Sequence, residues 1–363
     1  MKNRFLILLS FVLIVGRDVV CANTSMVRER ININRDWRYQ IDDPDGVGAA
    51  LHYSRLKPYL LPCANDFIIF GKRYQRPEGN PGENIAYVKS DFDDSEWRHL
   101  NLPHDWAIEG PFNIDYNGST GKLPYWGIRW YRKTLELSQD DAGKQIYLDI
   151  DGAMSYVSVW CNGQYVGGWP YGYASFRLDL TPYIKAGQKN VLAIRLDNPD
   201  DTSRWYPGSG IYRNVWLVKT SPVHVEQWGT FVRNQQVDSE IAVMEMGVNI
   251  ENHAGKDVQV KLQTSVYLQG KDGRPVGEEV TQSMTKDIAI KKDSWSSARF
   301  QFKVDKPKLW DIDTPNCYVA VSRVFMDGKE MDSYETPFGI RTIEFTHNQG
   351  FMLNGQKVAI KGV

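Results

Sequence analysis

Nowhere in these 363 residues do lysine and arginine gather into a block: 43 of them stand against 44 acids, for a net charge of −1. That balance argues against nucleic acid as a partner, because phosphate binding needs concentrated positive charge to displace counterions. Cysteine is scarce as well, at positions 21, 63, 161 and 317. With Cys21 assigned to a leader, Cys63, Cys161 and Cys317 form no disulfide framework and allow at most one bridge, so buried free thiols are expected. The 6 histidines show no metal-ligand spacing. Beyond the N-terminus no apolar run reaches the roughly eighteen residues of a membrane helix, so no membrane span is expected in the mature chain. A sustained helical period is missing too, which leaves strands as the main element.

Aromatic residues are plentiful, at 12% with 12 tryptophans, and the length allows about two to three domains. Lys2 and Arg4 precede an apolar run from Phe5 to Val15, and Val20-Cys21-Ala22 offers small or modest side chains for cleavage. Residues 1–22 therefore read as a signal peptide, which implies an exported protein, periplasmic or extracellular. A lipid anchor on Cys21 is the alternative, against which Val19 and Val20 stand where small residues usually precede such a cysteine.

From 23 to 222 short alternating stretches are separated by Gly, Pro, Asn and Asp. Trp37 to Tyr39, Gln145 to Ile150 and Val191 to Leu196 are such stretches, and Asn162-Gly163 reads as a two-residue hairpin turn between Tyr156–Trp160 and Gln164–Val166. The expected fold is an all-β, antiparallel jelly-roll sandwich. Residues 42 to 82 break the pattern with Pro, Gly and charge, and read as a long excursion that is either functional or packed over the sandwich. A second block, 223–338, alternates at Val258-Val260-Leu262, at Ala298-Phe300-Phe302-Val304 and along 318–323, with turns at Lys271-Asp272-Gly273 and Asp327-Gly328. About seven strands without the Cys–Trp–Cys core of antibody domains predict an immunoglobulin-like sandwich. Residues 339–363 begin something else: a hairpin about Asn354-Gly355, then Val358-Ala359-Ile360 as the start of a buried strand.

The densest candidate site is Arg204 to Trp216, RWYPGSGIYRNVW. An Arg fork beside Trp and Tyr faces suits a polyhydroxylated ring, whose C–H faces stack on aromatics while its hydroxyls need directional partners. A rim loop that merely caps a sandwich core is the competing reading.

Several further stretches stand out together: Leu102-Pro103-His104-Asp105-Trp106, Trp130-Tyr131-Arg132-Lys133, Asp151-Gly152, Val159 to Gly163, Gly172-Tyr173, and Phe338 to Arg341 leading to Asn354-Gly355 and Lys361-Gly362-Val363. With them the chain resembles glycoside hydrolase family 2, in its β-galactosidase-like branch. The resemblance implies a jelly-roll sugar-binding domain and an immunoglobulin-like domain ahead of a (β/α)8 barrel, truncated here at its first strand. It implies a retaining hydrolase of terminal β-galactosides acting on an oligosaccharide or polysaccharide, with β-glucuronidase, β-mannosidase or a non-catalytic carbohydrate-binding protein as alternatives, and it leaves room for a homo-oligomer.

Asp105 matches the position from which family members reach the hydroxyls of the terminal sugar, and Arg204, Trp205 and Tyr206 form the second loop of that substrate-binding rim. The family's acid and nucleophile are two glutamates on later barrel strands, so no catalytic residue is expected in this chain. Cofactors are likewise expected to be absent from it, since related enzymes bind Mg²⁺ or Na⁺ through barrel residues. The local acids Asp91, Asp93, Asp94, Asp197, Asp200 and Asp201 sit beside turn formers and read as turn residues rather than as a catalytic pair. His104 reads as a donor that steadies its turn.

Overall fold

Alternation becomes a hairpin where the turn residues tolerate positive φ, and three such turns form as expected. Asn162-Gly163, Asp327-Gly328 and Asn354-Gly355 have φ of 51° and 79°, 51° and 78°, and 49° and 73°, the left-handed pair that matches strand twist. The computed structural model describes residues 27–67, 72–200 and 203–362. The expected signal peptide with Cys21, and Asp201 among the local acids, lie outside the described residues.

The first sandwich is built from β1 (Glu29–Asn32), β2 (Trp37–Ile41), β3 (Arg98–Leu100), β4 (Gly127–Glu136), β5 (Gln145–Ile150), β6 (Val157–Cys161), β7 (Gln164–Trp169), β8 (Phe176–Asp179), β9 (Lys189–Asn198) and β10 (Val215–Thr220). They pair antiparallel as a four-stranded sheet, β1-β10-β5-β8, facing a six-stranded one, β3-β2-β4-β9-β6-β7. Trp37, Tyr131, Val159, Ile194, Leu148 and Leu217 meet between the sheets.

Two stretches read as alternating are instead buried almost throughout: Ile146 to Ile150 on β5 and Leu192 to Leu196 on β9. The reason is that both sheets are covered on their outer faces as well. Over the six-stranded sheet lies the excursion after Asp42, which is packed and partly helical, with a helix α1 (Tyr53–Leu60) between 3-10 turns at Gly48–Leu51 and Leu61–Phe67. Leu51, Leu56 and Leu60 join Val88 and Trp97 against Trp130, Trp160 and Tyr165 of the sheet, a second apolar core. Asp43 pins this cover: it accepts from Arg195 Nε and Nη2 and from Trp130 Nε1, each at 2.8 Å. A neighbouring arginine, Arg132, is 1% exposed and pairs with Asp94 at 2.8 Å. Outward-pointing arginines are thus buried by the cover with their charges matched.

The second sandwich comprises β11 (Val223–Val237), β12 (Ile241–Asn252), β13 (Val258–Gln269), β14 (Pro275–Val276), β15 (Met284–Ile290), β16 (Ser294–Asp305), β17 (Tyr318–Met326) and β18 (Lys329–Phe338). One sheet runs β11-β12-β16; the other runs β14-β13-β17-β18, with β15 also on β13. Met244, Met246 and Ile250 face Val260, Leu262 and Val324 across an apolar core. None of Cys63, Cys161 and Cys317 forms a disulfide. Cys161 is buried, and burial pushes its thiol up to about 12. Cys63 and Cys317, expected to be buried, are only partly so.

The two sandwiches touch along the outer face of β5. Tyr147 there meets His224 of β11, with hydroxyl and Nε2 3.4 Å apart. A three-stranded meander closes the described chain: β19 (Ile343–Thr346), β20 (Gly350–Leu353) and β21 (Gln356–Lys357). Residues 358–360 do not form the expected buried strand, and Ile360 is 69% exposed. A buried strand needs neighbours on both edges, and no strand among the described residues pairs with them.

Candidate functional site

The rim of the first sandwich brings the PHDW loop and the 204–212 loop side by side. His104 N–H donates to Ile211 O at 2.9 Å, and Met154 and Gly210 exchange backbone hydrogen bonds of 2.9 and 3.2 Å. Gly210 has φ of 86°, and a Cβ on it would lie 2.4 Å from His104 O, so only glycine lets the loops approach this closely. Asn198 Nδ2 donates to Tyr125 O and Gly208 O, and Ser209 Oγ to Tyr125 O, fixing the loop from below.

On this frame Asp105 and Tyr206 are directly bonded. The Tyr206 hydroxyl lies 2.7 Å from both Asp105 oxygens. Burial, and then the adjacent carboxylate, push that hydroxyl far above the ordinary tyrosine range, so it stays protonated and donates. Asp105 Oδ1 also accepts Ala107 N–H at 3.1 Å, the turn-pinning role available to any loop Asp. Two donors leave lone pairs on a carboxylate that is only partly buried.

Trp205 is 59% exposed, and its Nε1 donates to Tyr173 Oη at 3.0 Å; Tyr173 in turn donates to Pro207 O at 2.9 Å. Tyr171 and Tyr173 are exposed and meet edge to face at 5.6 Å. Trp205, Tyr173 and Tyr171 thus form an exposed aromatic cluster at the loop that carries Tyr206, the partner of Asp105. Arg204 is exposed, and no described contact draws it into the Asp105–Tyr206 pair. Neither Tyr171 nor Tyr173 is among the substrate-binding residues expected above, although Gly172-Tyr173 is one of the stretches behind the resemblance and Tyr-Gly-Tyr at 171–173 carries the same aromatic-plus-glycine signature as the 204–210 loop.

Asp94 pairs with Arg132 as above, and three more of the local acids are engaged in structure. Asp93 accepts Ser95 N–H at 3.0 Å, Asp197 faces Arg195 at 3.3 Å, and Asp200 accepts from Tyr125 Oη at 2.8 Å. Asp91 is exposed.

His104 is buried, with Nδ1 2.8 Å from Tyr131 Oη and Nε2 3.3 Å from Glu109. Burial pushes this imidazole below its ordinary value, against the opposing pull of Glu109. The folded chain therefore binds fewer protons here than the unfolded chain just below about pH 6.5. This part of the stability is complete above that value and is lost as pH falls towards the folded-state value. Urea unfolding of parent and His104→Asn between pH 7 and 5 should show a shallower loss in the variant. His224, also lowered by burial, is common to both and cancels; equal slopes would refute the assignment.

Two protein-family models match consecutive parts of the chain: the sugar binding domain of glycosyl hydrolases family 2 over residues 87–221, and glycosyl hydrolases family 2 over 223–341. The chain belongs to glycosyl hydrolases family 2. Among curated relatives, the beta-galactosidase BoGH2A of Bacteroides ovatus is 40% identical over 94% of this chain and 35% of its own length. A putative beta-glucuronidase of Formosa agariphila is 34% identical over 82% of the chain and 28% of its own. Of solved structures, a family 2 member from Bacteroides cellulosilyticus aligns with TM-score 0.74 at 28% identity, covering 92% of this chain and 38% of that one. A beta-glycosidase from Bacteroides vulgatus aligns at 0.69 and 32%, covering 92% and 37%. The chain thus spans about a third of the length of these proteins. Both matched segments are β-sandwiches, and the Asp105–Tyr206 rim lies within the segment described as sugar binding.

Proposed function

We propose that this chain is the sugar-facing N-terminal portion of an exported retaining glycoside hydrolase that releases terminal β-galactose from an oligosaccharide or polysaccharide. The observation that carries the reading is the Asp105–Tyr206 pair beside the Trp205–Tyr173 cluster. A carboxylate with lone pairs to spare accepts bonds from vicinal hydroxyls while an aromatic face packs on the ring. Identity to a named beta-galactosidase supports galactose as the sugar. Relatives named beta-glucuronidase support the second reading, a glucuronide. In this proposal the acid and nucleophile of retaining hydrolysis, carboxyls about 5 Å apart, are supplied by a barrel, and the sandwiches shape one wall of its mouth. Arg204 is exposed at the same rim and in this proposal is one of its substrate-binding residues. The charged and apolar makeup of residues 1–22 supports export.

The test expresses the reading frame through the Val363 codon to its own stop and compares kcat/KM on aryl β-galactoside, β-glucuronide and β-mannoside. Galactoside is expected to lead by at least about tenfold, roughly 1.4 kcal/mol of transition-state preference. A lead for glucuronide would install the second reading, and hydrolysis of none of the three would refute the enzyme reading.

A further inference from the structure

Away from the rim, three ligand-type side chains meet where the two sandwiches touch. β11 and β12 pair so that His224 lies directly opposite Glu251, and His253 follows two residues further on. Glu251 Oε2 is 3.3 Å from His224 Nε2 and 3.5 Å from His253 Nε2. One ligand atom from each of the three lies within 4.8 Å of the others. The two imidazoles stack at 23° with centroids 5.7 Å apart. A tetrahedral zinc with ligands at about 2.0–2.1 Å has ligand-to-ligand edges of about 3.3–3.4 Å, so two of the three edges are already close to that length.

The proton count points the same way. His224 is fully buried and faces two acceptors: Ser221 O, 2.9 Å from Nδ1, and Glu251 Oε2, 3.3 Å from Nε2. A neutral imidazole has one N–H, and full burial favours the neutral ring. With Nδ1–H given to the Ser221 carbonyl, the Nε2 lone pair points at a carboxylate. The Tyr147 hydroxyl, 3.4 Å from the same Nε2, is the neighbour that could donate to it, and a cation held between the nitrogen and the carboxylate would satisfy both lone pairs at once. A backbone carbonyl that fixes the Nδ1–H tautomer is also the usual support of a histidine ligating through Nε2.

We propose that His224, Glu251 and His253 bind zinc(II), with water completing four-coordination. Two imidazoles and a carboxylate suit zinc, whereas Ca²⁺ and Mg²⁺ favour all-oxygen cages. Because His224 opens β11 and touches Tyr147 of the first sandwich, the ion would staple the start of β11 to the end of β12 beside the contact between the sandwiches.

The test strips the full chain with chelator, dialyses it against micromolar zinc(II) and counts bound metal by atomic emission. About one zinc per chain is expected, with a melting temperature that rises on metal addition. His253→Ala, at a half-exposed side chain, and the isosteric Glu251→Gln should each weaken zinc at least about tenfold with unchanged circular dichroism, and should lose the metal-dependent rise. Absence of stoichiometric zinc, or zinc retained undiminished in both variants, overturns the proposal.

Discussion

Asp105→Ala in the whole enzyme is expected to lower kcat/KM on an aryl β-galactoside by about 10²- to 10³-fold. A hydrogen bond to a charged group is worth about 1.5–3 kcal/mol, and a carboxylate spanning two sugar hydroxyls makes two. Allowing for non-additivity, about 3–4 kcal/mol is at stake, with each 1.4 kcal/mol a factor of about ten. Tyr206→Phe removes only the donor that orients the carboxylate at 2.7 Å, and should cost about tenfold. Asp105→Asn separates substrate contact from turn support. An amide oxygen still accepts Ala107 N–H and the Tyr206 hydroxyl, so the loop and the melting temperature should survive. On the proposed function the charge that would grip the sugar is lost, so activity should fall well below the parent, with KM raised. Parent-level kcat/KM in Asp105→Asn would leave Asp105 as a turn residue and remove it from the substrate site.

The two sandwiches were legible because their signals are local: alternation, and Asn-Gly or Asp-Gly where strand twist requires positive φ. The cover was legible only as an excursion over 42–82, either functional or packed over the sandwich; its helix and its apolar core were not, since those residues serve a face that alternation assigns to solvent. A signal did exist in the apolar run Val191-Leu192-Ala193-Ile194, too continuous for a strand buried on one face only. At the rim, the pattern located both loops but not their join. Asp105 and Tyr206 are 101 positions apart, and only the pairing of Met154 with Gly210 and of His104 with Ile211 brings them into contact. His224 and His253 show the same limit. Their separation matches no linear metal motif, and it is the antiparallel register of β11 and β12 that places His224 opposite Glu251, two residues ahead of His253.

Asp332→Ala is expected to give the largest loss of stability. Asp332 is fully buried on β18, yet its partners come from far along the chain. Arg28, just ahead of β1, donates to it through Nε at 2.9 Å and Nη2 at 2.7 Å, and Val225 N–H on β11 donates at 2.7 Å. Arg28 also gives a hydrogen bond to Val225 O at 2.6 Å and lies over the Tyr334 ring at 4.8 Å. One carboxylate therefore ties the first strand of the first sandwich to both sheets of the second. Removing it strands a guanidinium that is only 12% exposed and orphans a buried N–H. Breaking one side of a buried pair costs about 3–5 kcal/mol, against at most about 1 for an exposed pair. With an unfolding entropy of about 2.1 cal/mol/K per residue, a chain of 363 residues loses roughly 1.3 °C per kcal/mol, so the melting temperature should fall by at least about 4 °C. The loss should come from the stranded charge more than from the missing attraction. The double variant Arg28→Met with Asp332→Asn, whose amide oxygen can still accept Val225 N–H, should therefore recover much of the stability. Asp332→Ala within about 1 kcal/mol of the parent, or a double variant no better than the single, would refute the clamp.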